Sequence, residues 1–293
     1  MKTIALNIWE LIKATTGNWW KMEPFRQSAI IAYYAIFSLP ALLVIIITVA
    51  GSVFGADAID GKIYGQIKDT MGTETADQIK IMLEKATESK TSVWASVLGI
   101  FTMLLGSVGV FVELQKTLNA VWKVKAAPRK GIWGFLRARL FSFGLILSIA
   151  FLLIVSLVIS TVLIAASDLL KADSSNLLLL LFQILNFILS LGAISFLFAL
   201  MFKFLPDAKI KMRNVWMGAL LTAILFTIGK AALSFYFGKA NPGSGYGAAG
   251  SIILILLWTS YSSMILFWGA EFTHTYSEMY SGKVTASTTG KKV

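Results

Sequence analysis

The sequence predicts an all-α polytopic membrane protein with six transmembrane helices, an N-terminal interfacial helix and a small helical extracytoplasmic cap. Three observations predict it. Hydrophobic residues make up 57% of the 293 positions and charged ones only 14%, more apolar side chain than a soluble domain of this length buries. Apolar stretches bracket at about 29–53, 93–112, 140–166, 177–202, 214–237 and 248–270, each near the ~20 residues that cross ~30 Å of hydrocarbon as a helix. The 26 Lys and Arg also fall unevenly between the connections.

Residues 1–28 lack the apolar core of a signal peptide. They space Ile4, Ile8, Leu11 and Ile12 on one helical face, which predicts a helix lying at the membrane surface. Trp9, Trp19 and Trp20 would sit at the headgroup boundary, as would Trp94, Trp122, Trp133 and Trp216, whereas Trp258 falls mid-span and should pack internally. The membrane domain covers 29–275. Within it, 54–92 predicts two amphipathic cap helices, one carrying Ile59, Ile63 and Ile67, the other Ile79, Met82, Leu83 and Ala86. Thr75 and Gln78 form a capping box for the second. The third and fourth spans, joined by "SDLLKADSSN", read as a hairpin, and 276–293 is expected to be a flexible cytoplasmic tail.

Orientation follows from the basic residues. Four precede the first span, seven lie between the second and third, four between the fourth and fifth and three in the tail, eighteen on one side. The cap holds five, offset by seven acids, and Lys171 and Lys239 share its side. Both termini are therefore expected in the cytoplasm, with the chain in a bacterial inner membrane. The net charge of +11 is assigned to topology and anionic lipid, not to nucleic acid.

Chemistry-bearing residues are few. Without cysteine, and with one histidine, the chain offers no thiolate chemistry, no metal site and no expected cofactor. His274, in "EFTHTY", lies three residues beyond Glu271 and reads as an exposed polar residue at a helix end. Ionisable groups within spans are expensive in hydrocarbon and point to function. They are Glu113, with Lys116 one turn on, Lys230 and Glu271. Both carboxylates fall toward the cytoplasmic ends of their spans and could line one cavity. Lys230 lies near the outer end of the fifth span, where snorkelling and substrate contact weigh evenly. Gln183 and Asn186 are read as a helix-packing pair.

"AYYAIFSLP", residues 32–40, adds Tyr33, Tyr34 and Ser38 as candidate solute contacts. Pro40 is expected to kink the first span, and Ser38 or water could satisfy the freed carbonyl. "NPGSGYGAAG", residues 241–250, contains a GxGxxG in Gly245, Gly247 and Gly250, but it follows a membrane helix where a dinucleotide site needs a strand. These glycines are assigned to gating or helix packing.

Six segments resemble the bacterial YihY/BrkB family of six-span inner-membrane proteins: "AYYAIFSLP", "LNAVW" at 118–122, "FLPDAKI" at 204–210, "YGAAGS" at 246–251, "LLWTSYSS" at 256–263 and "GAEF" at 269–272. Pro40 directly follows "FSL", where many members carry an intervening residue. The family has carried ribonuclease BN and serum-resistance labels, and members are connected to export or flipping of lipid-like molecules. A nuclease fits the residues poorly, since phosphodiester cleavage wants metal-binding carboxylates or paired His and Lys. The expectation is a non-enzymatic transporter or flippase-like exporter of a lipid-like or small amphipathic or anionic solute. The alternative is an envelope-assembly or scaffold protein. Membrane lipids and that solute are the expected partners, nucleic acid is not, and homo-oligomerisation stays open.

Overall fold

A computed structural model describes residues 2–38, 109–126, 176–240 and 250–281, together with 64, 65, 68, 73, 76, 77, 80, 81, 106, 242, 243, 245, 246, 285, 286 and 290–292. The chain is helical, with α1 at Lys2–Lys21, α2 at 24–38, α3 at 109–121, α4 at Asn176–Phe204, α5 at Met212–Ala240 and α6 at Gly250–Ser281. Within α4, α5 and α6, the stretches Gln183–Phe204, Met212–Ala240 and Ile252–Tyr280 are each long and apolar enough to cross a membrane. They answer to the fourth, fifth and sixth predicted spans. The third predicted span and the hairpin loop lie outside the described residues, as do Thr75, Gln78, Pro40 and Gly247.

The chain divides into two compact units. The first comprises Met1–Thr15, Leu118–Ile224 and Trp268–Val293, the second Thr16–Thr117 and Leu225–Phe267.

In the first unit, α4 buries Ser195, Phe198, Ala199 and Phe202, the i, i+3, i+4, i+7 stripe of a helix packed on one face. Its earlier turns expose Leu181, Ile184, Leu185, Phe187 and Ile188, as a lipid-facing helix does. Asn186 is half-buried with its Oδ1 unbonded, and Gln183 is exposed. At the α5–α6 contact, a Cβ on Gly218 would fall on the Thr273 hydroxyl, and one on Gly269 on the Thr222 hydroxyl. Each threonine turns its own proton inward: Thr222 Oγ1 donates to the Gly218 carbonyl at 2.6 Å, and Thr273 Oγ1 to that of Gly269 at 2.7 Å. The pattern Gly-x-x-x-Thr on both helices thus presents a small surface whose hydroxyls are already satisfied.

Among the described residues, this unit also has four short strands. β1 (Val124–Ala126) pairs antiparallel with β4 (Gly290–Lys292), and β2 (Ala208–Lys209) with β3 (Thr285–Ala286). The segment expected to be a flexible tail from 276 is helical to Ser281 and then supplies β3 and β4. Its ladder is made by backbone groups, which side-chain patterning does not reveal.

In the second unit, Pro24 opens α2 in the first turn, where a missing N–H costs nothing, after Glu23 turns the chain at φ 54°. Ser28, Ile31, Ala32 and Ala35 line its buried face. Among the described residues of the 54–92 segment, Tyr64 donates to Asp77 Oδ1 at 2.5 Å. That hydrogen bond to the carboxylate raises the Tyr64 pKa above the ordinary phenol value.

Gly218→Ala and Gly269→Ala should each destabilise by about 1–3 kcal/mol, the usual cost of overpacking. The check is the thermal midpoint of purified protein in detergent; adding Thr273→Ala to Gly218→Ala should recover part of the loss by vacating the space the methyl needs.

Candidate functional site

The first unit gathers polar side chains that the apolar stretches around them had concealed. In α6, Glu271, Thr273, His274, Thr275 and Ser277 are all buried. His274 is 2% exposed, which corrects the expectation of an exposed helix end. The helix continues to Ser281, and burial extends along it through Ser277 before Glu278, Met279 and Tyr280 emerge. Trp122 stands edge-on to the imidazole, with ring centroids 5.2 Å apart and planes at 89°. Asn214 of α5 donates from Nδ2 to Ser277 Oγ at 2.8 Å.

Glu271, His274 and Glu278 occupy i, i+3 and i+7 of α6, a spacing that stacks them along one face. His274 Nδ1 lies 3.5 Å from Glu271 Oε1, and Nε2 lies 3.4 Å from Glu278 Oε1. Thr275 Oγ1 donates to Glu271 Oε1 at 3.3 Å. On the far side, Glu278 Oε2 meets Lys123 Nζ at 3.7 Å. Lys123 itself closes α3 at φ 52°, a left-handed position that L residues other than Asn and Asp rarely take and that costs on the order of 1 kcal/mol. His274 Nδ1 and Trp122 Nε1 are buried and make no hydrogen bond among the described residues. Buried polar atoms of that kind are uncommon.

A second lock lies beside this row in the same unit. Asn119 Nδ2 donates to Asp207 Oδ2 at 3.0 Å, while the Asp207 backbone N–H donates to Asn119 Oδ1 at 2.7 Å. Both residues are buried. Lys203 Nζ donates to the Ile210 carbonyl at 2.5 Å and so ties the end of α4 to the far side of the same loop. The segments 118–122, 204–210 and 269–272 therefore belong to one unit; the Asn119–Asp207 pair joins the first two, and Trp122 meets His274 just beyond the third.

The remaining sequence candidates lie elsewhere. Glu113 falls in the second unit, buried, and accepts from Lys116 Nζ at 3.4 Å. Thr117 donates to Gln27 Oε1 at 3.0 Å. Tyr34 packs its ring on Gly109, where a Cβ would strike it, and stands edge-on to Tyr33 at 5.5 Å. Tyr33 is exposed. Ser38 donates to the Ala35 carbonyl at 3.4 Å. Lys230 is half-buried, next to Gly229, which is pressed against Tyr261 and Ile265. Trp258 is half-buried and edge-on to Phe226 at 6.0 Å. Gly250 faces the Gly243 backbone so closely that a Cβ would meet its carbonyl oxygen at 2.6 Å, whereas Gly245 stands in open space. Tightness at this loop thus rests on Gly243 and Gly250.

The virulence factor BrkB family model matches residues 15–292, nearly the whole chain. The chain belongs to this family. A UPF0761 membrane protein of Haemophilus influenzae is 26% identical over 266 residues, covering 89% of this chain and 94% of its own length. One from Teredinibacter turnerae is 24% identical over 263 residues, covering 89% and 59%, and one from Saccharophagus degradans is 24% identical over 255 residues, covering 86% and 56%. The chain thus spans under two thirds of the length of these last two relatives. No solved structure is significantly similar to it. The chain is thus a membrane protein of this family.

Asn119, Trp122, Asp207 and His274 were not among the site candidates read from the sequence. The available signals were the 271/274/278 spacing and the buried-type neighbours of Asn119 and Asp207 in "LNAVW" and "FLPDAKI".

Asn119→Ala and Asp207→Ala should be coupled. A double-mutant cycle read by SDS unfolding in mixed micelles should return about 1–3 kcal/mol of interaction, the range for partners in one buried network; additive losses would remove the lock.

Proposed function

We propose that the chain moves a lipid-like or small anionic amphipathic solute across the bacterial inner membrane, with both termini in the cytoplasm and no chemical turnover. The observation that carries this reading is the buried Glu271 and His274 within a helix long and apolar enough to span the bilayer. A carboxylate in hydrocarbon is retained where it serves a pathway or relay. Within the second unit, the half-buried Lys230 offers a cation to an anionic headgroup. The packing of Tyr34 on Gly109 and of Tyr261 on Gly229 gives α2 and α5 of the second unit close, sliding-type contacts.

The test uses vesicles containing fluorescently labelled phosphatidylethanolamine, with external dithionite to bleach the label that reaches the outer leaflet. Wild-type protein should expose the inner-leaflet pool, and Glu271→Gln and Lys230→Met should return the rate to that of protein-free vesicles while inserting and melting normally. Wild-type rates in both variants would discard these residues as the site.

A further inference from the structure

We propose that Glu278, His274 and Glu271 form a proton relay that carries a proton from the surface of the first unit to a buried carboxylate. The geometry has three parts. Exposure falls from 42% for the Glu278 side chain to 2% for His274 and 3% for Glu271, so the row leads inward. The imidazole is oriented with one nitrogen toward each carboxylate, Nε2 at 3.4 Å and Nδ1 at 3.5 Å. These contacts are a small side-chain rotation from charge-assisted hydrogen bonds of about 2.7–2.9 Å. Lys123 occupies the other oxygen of Glu278, leaving Oε1 to face the ring.

Imidazole is suited to this position because it can accept at one nitrogen while donating from the other, and it ordinarily changes charge between pH 5 and 8. The transfer balances simply. A protonated Glu278 gives its proton to Nε2, and the proton on Nδ1 passes to the Glu271 carboxylate. Glu271 ends neutral, Glu278 ends as the carboxylate, and His274 ends as the other neutral tautomer. When the pH rises the same steps run backward and empty Glu271, so the ring need not turn over. Trp122, edge-on to the ring, holds its plane. Among the described residues, the charged group that meets this row from another element in an ion pair is Lys123. From α5 this stretch receives Gly218 against Thr273 and Asn214 on Ser277, both uncharged, so α5 places no fixed charge in those two contacts.

That the proton is the ion coupled to solute movement rests on the export reading; the relay itself does not. The test therefore uses no solute. Full-length protein in phosphatidylethanolamine and phosphatidylglycerol vesicles is taken through a pH jump and followed by infrared difference spectroscopy. Acidification should produce a protonated-carboxyl band that Glu271→Gln lacks. His274→Gln and Glu278→Gln should reach the same final amplitude about a hundredfold more slowly, the scale lost with a positioned acid–base group. Glu278 is at the surface, so Glu278→Gln decides the matter even if His274→Gln fails to fold. An absent band, or an unchanged rate in Glu278→Gln, overturns the relay. Lipid movement measured on the same vesicles separates the two proposals: a relay that fails while lipid still crosses leaves export standing, and an intact relay without lipid movement removes export alone.

Discussion

Close approach of α5 and α6 at the Gly218–Thr273 and Gly269–Thr222 contacts is the constraint on which the candidate site depends. Lipid tails are as apolar as leucine, so no hydrophobic drive presses two such helices together. Their association relies on small residues that admit dispersion contact and on polar groups that bond locally. Here the threonine hydroxyls satisfy themselves on carbonyls four residues back in their own helices, so the backbones can meet without stranding a donor. The contact also fixes the rotation of α6. With Gly269 and Thr273 turned to α5, Glu271 and His274 take up other faces of the same two turns, where Trp122 reaches the ring.

Polar satisfaction then decides what each short motif contributes. Asn119 and Asp207 bond each other reciprocally, and Asn214 donates to Ser277. These pairs stiffen the loops that follow α3 and α4, and the tail strands run along both through β1–β4 and β2–β3. The ring nitrogens of His274 and Trp122 behave differently. Both residues are buried, and His274 Nδ1 and Trp122 Nε1 make no hydrogen bond among the described residues. Two unbonded ring nitrogens thus lie close to the buried carboxylate of Glu271.

Much of the helical frame was legible in the sequence because apolar run length is a direct consequence of bilayer thickness. The stretches 177–202 and 214–237 correspond to α4 and α5 within a few residues. The sixth stretch, taken to end near 270, runs to Ser281. Its continuation, "EFTHTYSEMYS", is polar by composition, yet Glu271, Thr273, His274, Thr275 and Ser277 are buried, and hydropathy cannot distinguish a polar side chain facing water from one facing a partner. The same blindness hid His274. Glu271 was legible because a carboxylate inside an apolar run is anomalous by itself, whereas Asn119 and Asp207 acquire meaning only as a pair 88 positions apart. The glycine-rich 241–250 stretch shows the converse. Its GxGxxG spacing drew attention to Gly245, which stands in open space, and to Gly250, whose close backbone contact is with Gly243, outside that spacing.

The central claim is that the glycine–threonine crossing holds a buried, polar row on α6. Because His274 is the single histidine, labelling histidine with nitrogen-15 gives one imidazole signal set with no assignment problem. Solid-state NMR of the protein in lipid, with a water-borne paramagnetic relaxation agent, reads whether that ring meets solvent. The account predicts two distinct ring nitrogens shielded from the agent in the wild type, and exposure of the ring in Gly218→Ala as α5 is pushed from α6. A ring already relaxed by the agent in the wild type, or one equally shielded in Gly218→Ala, would contradict it.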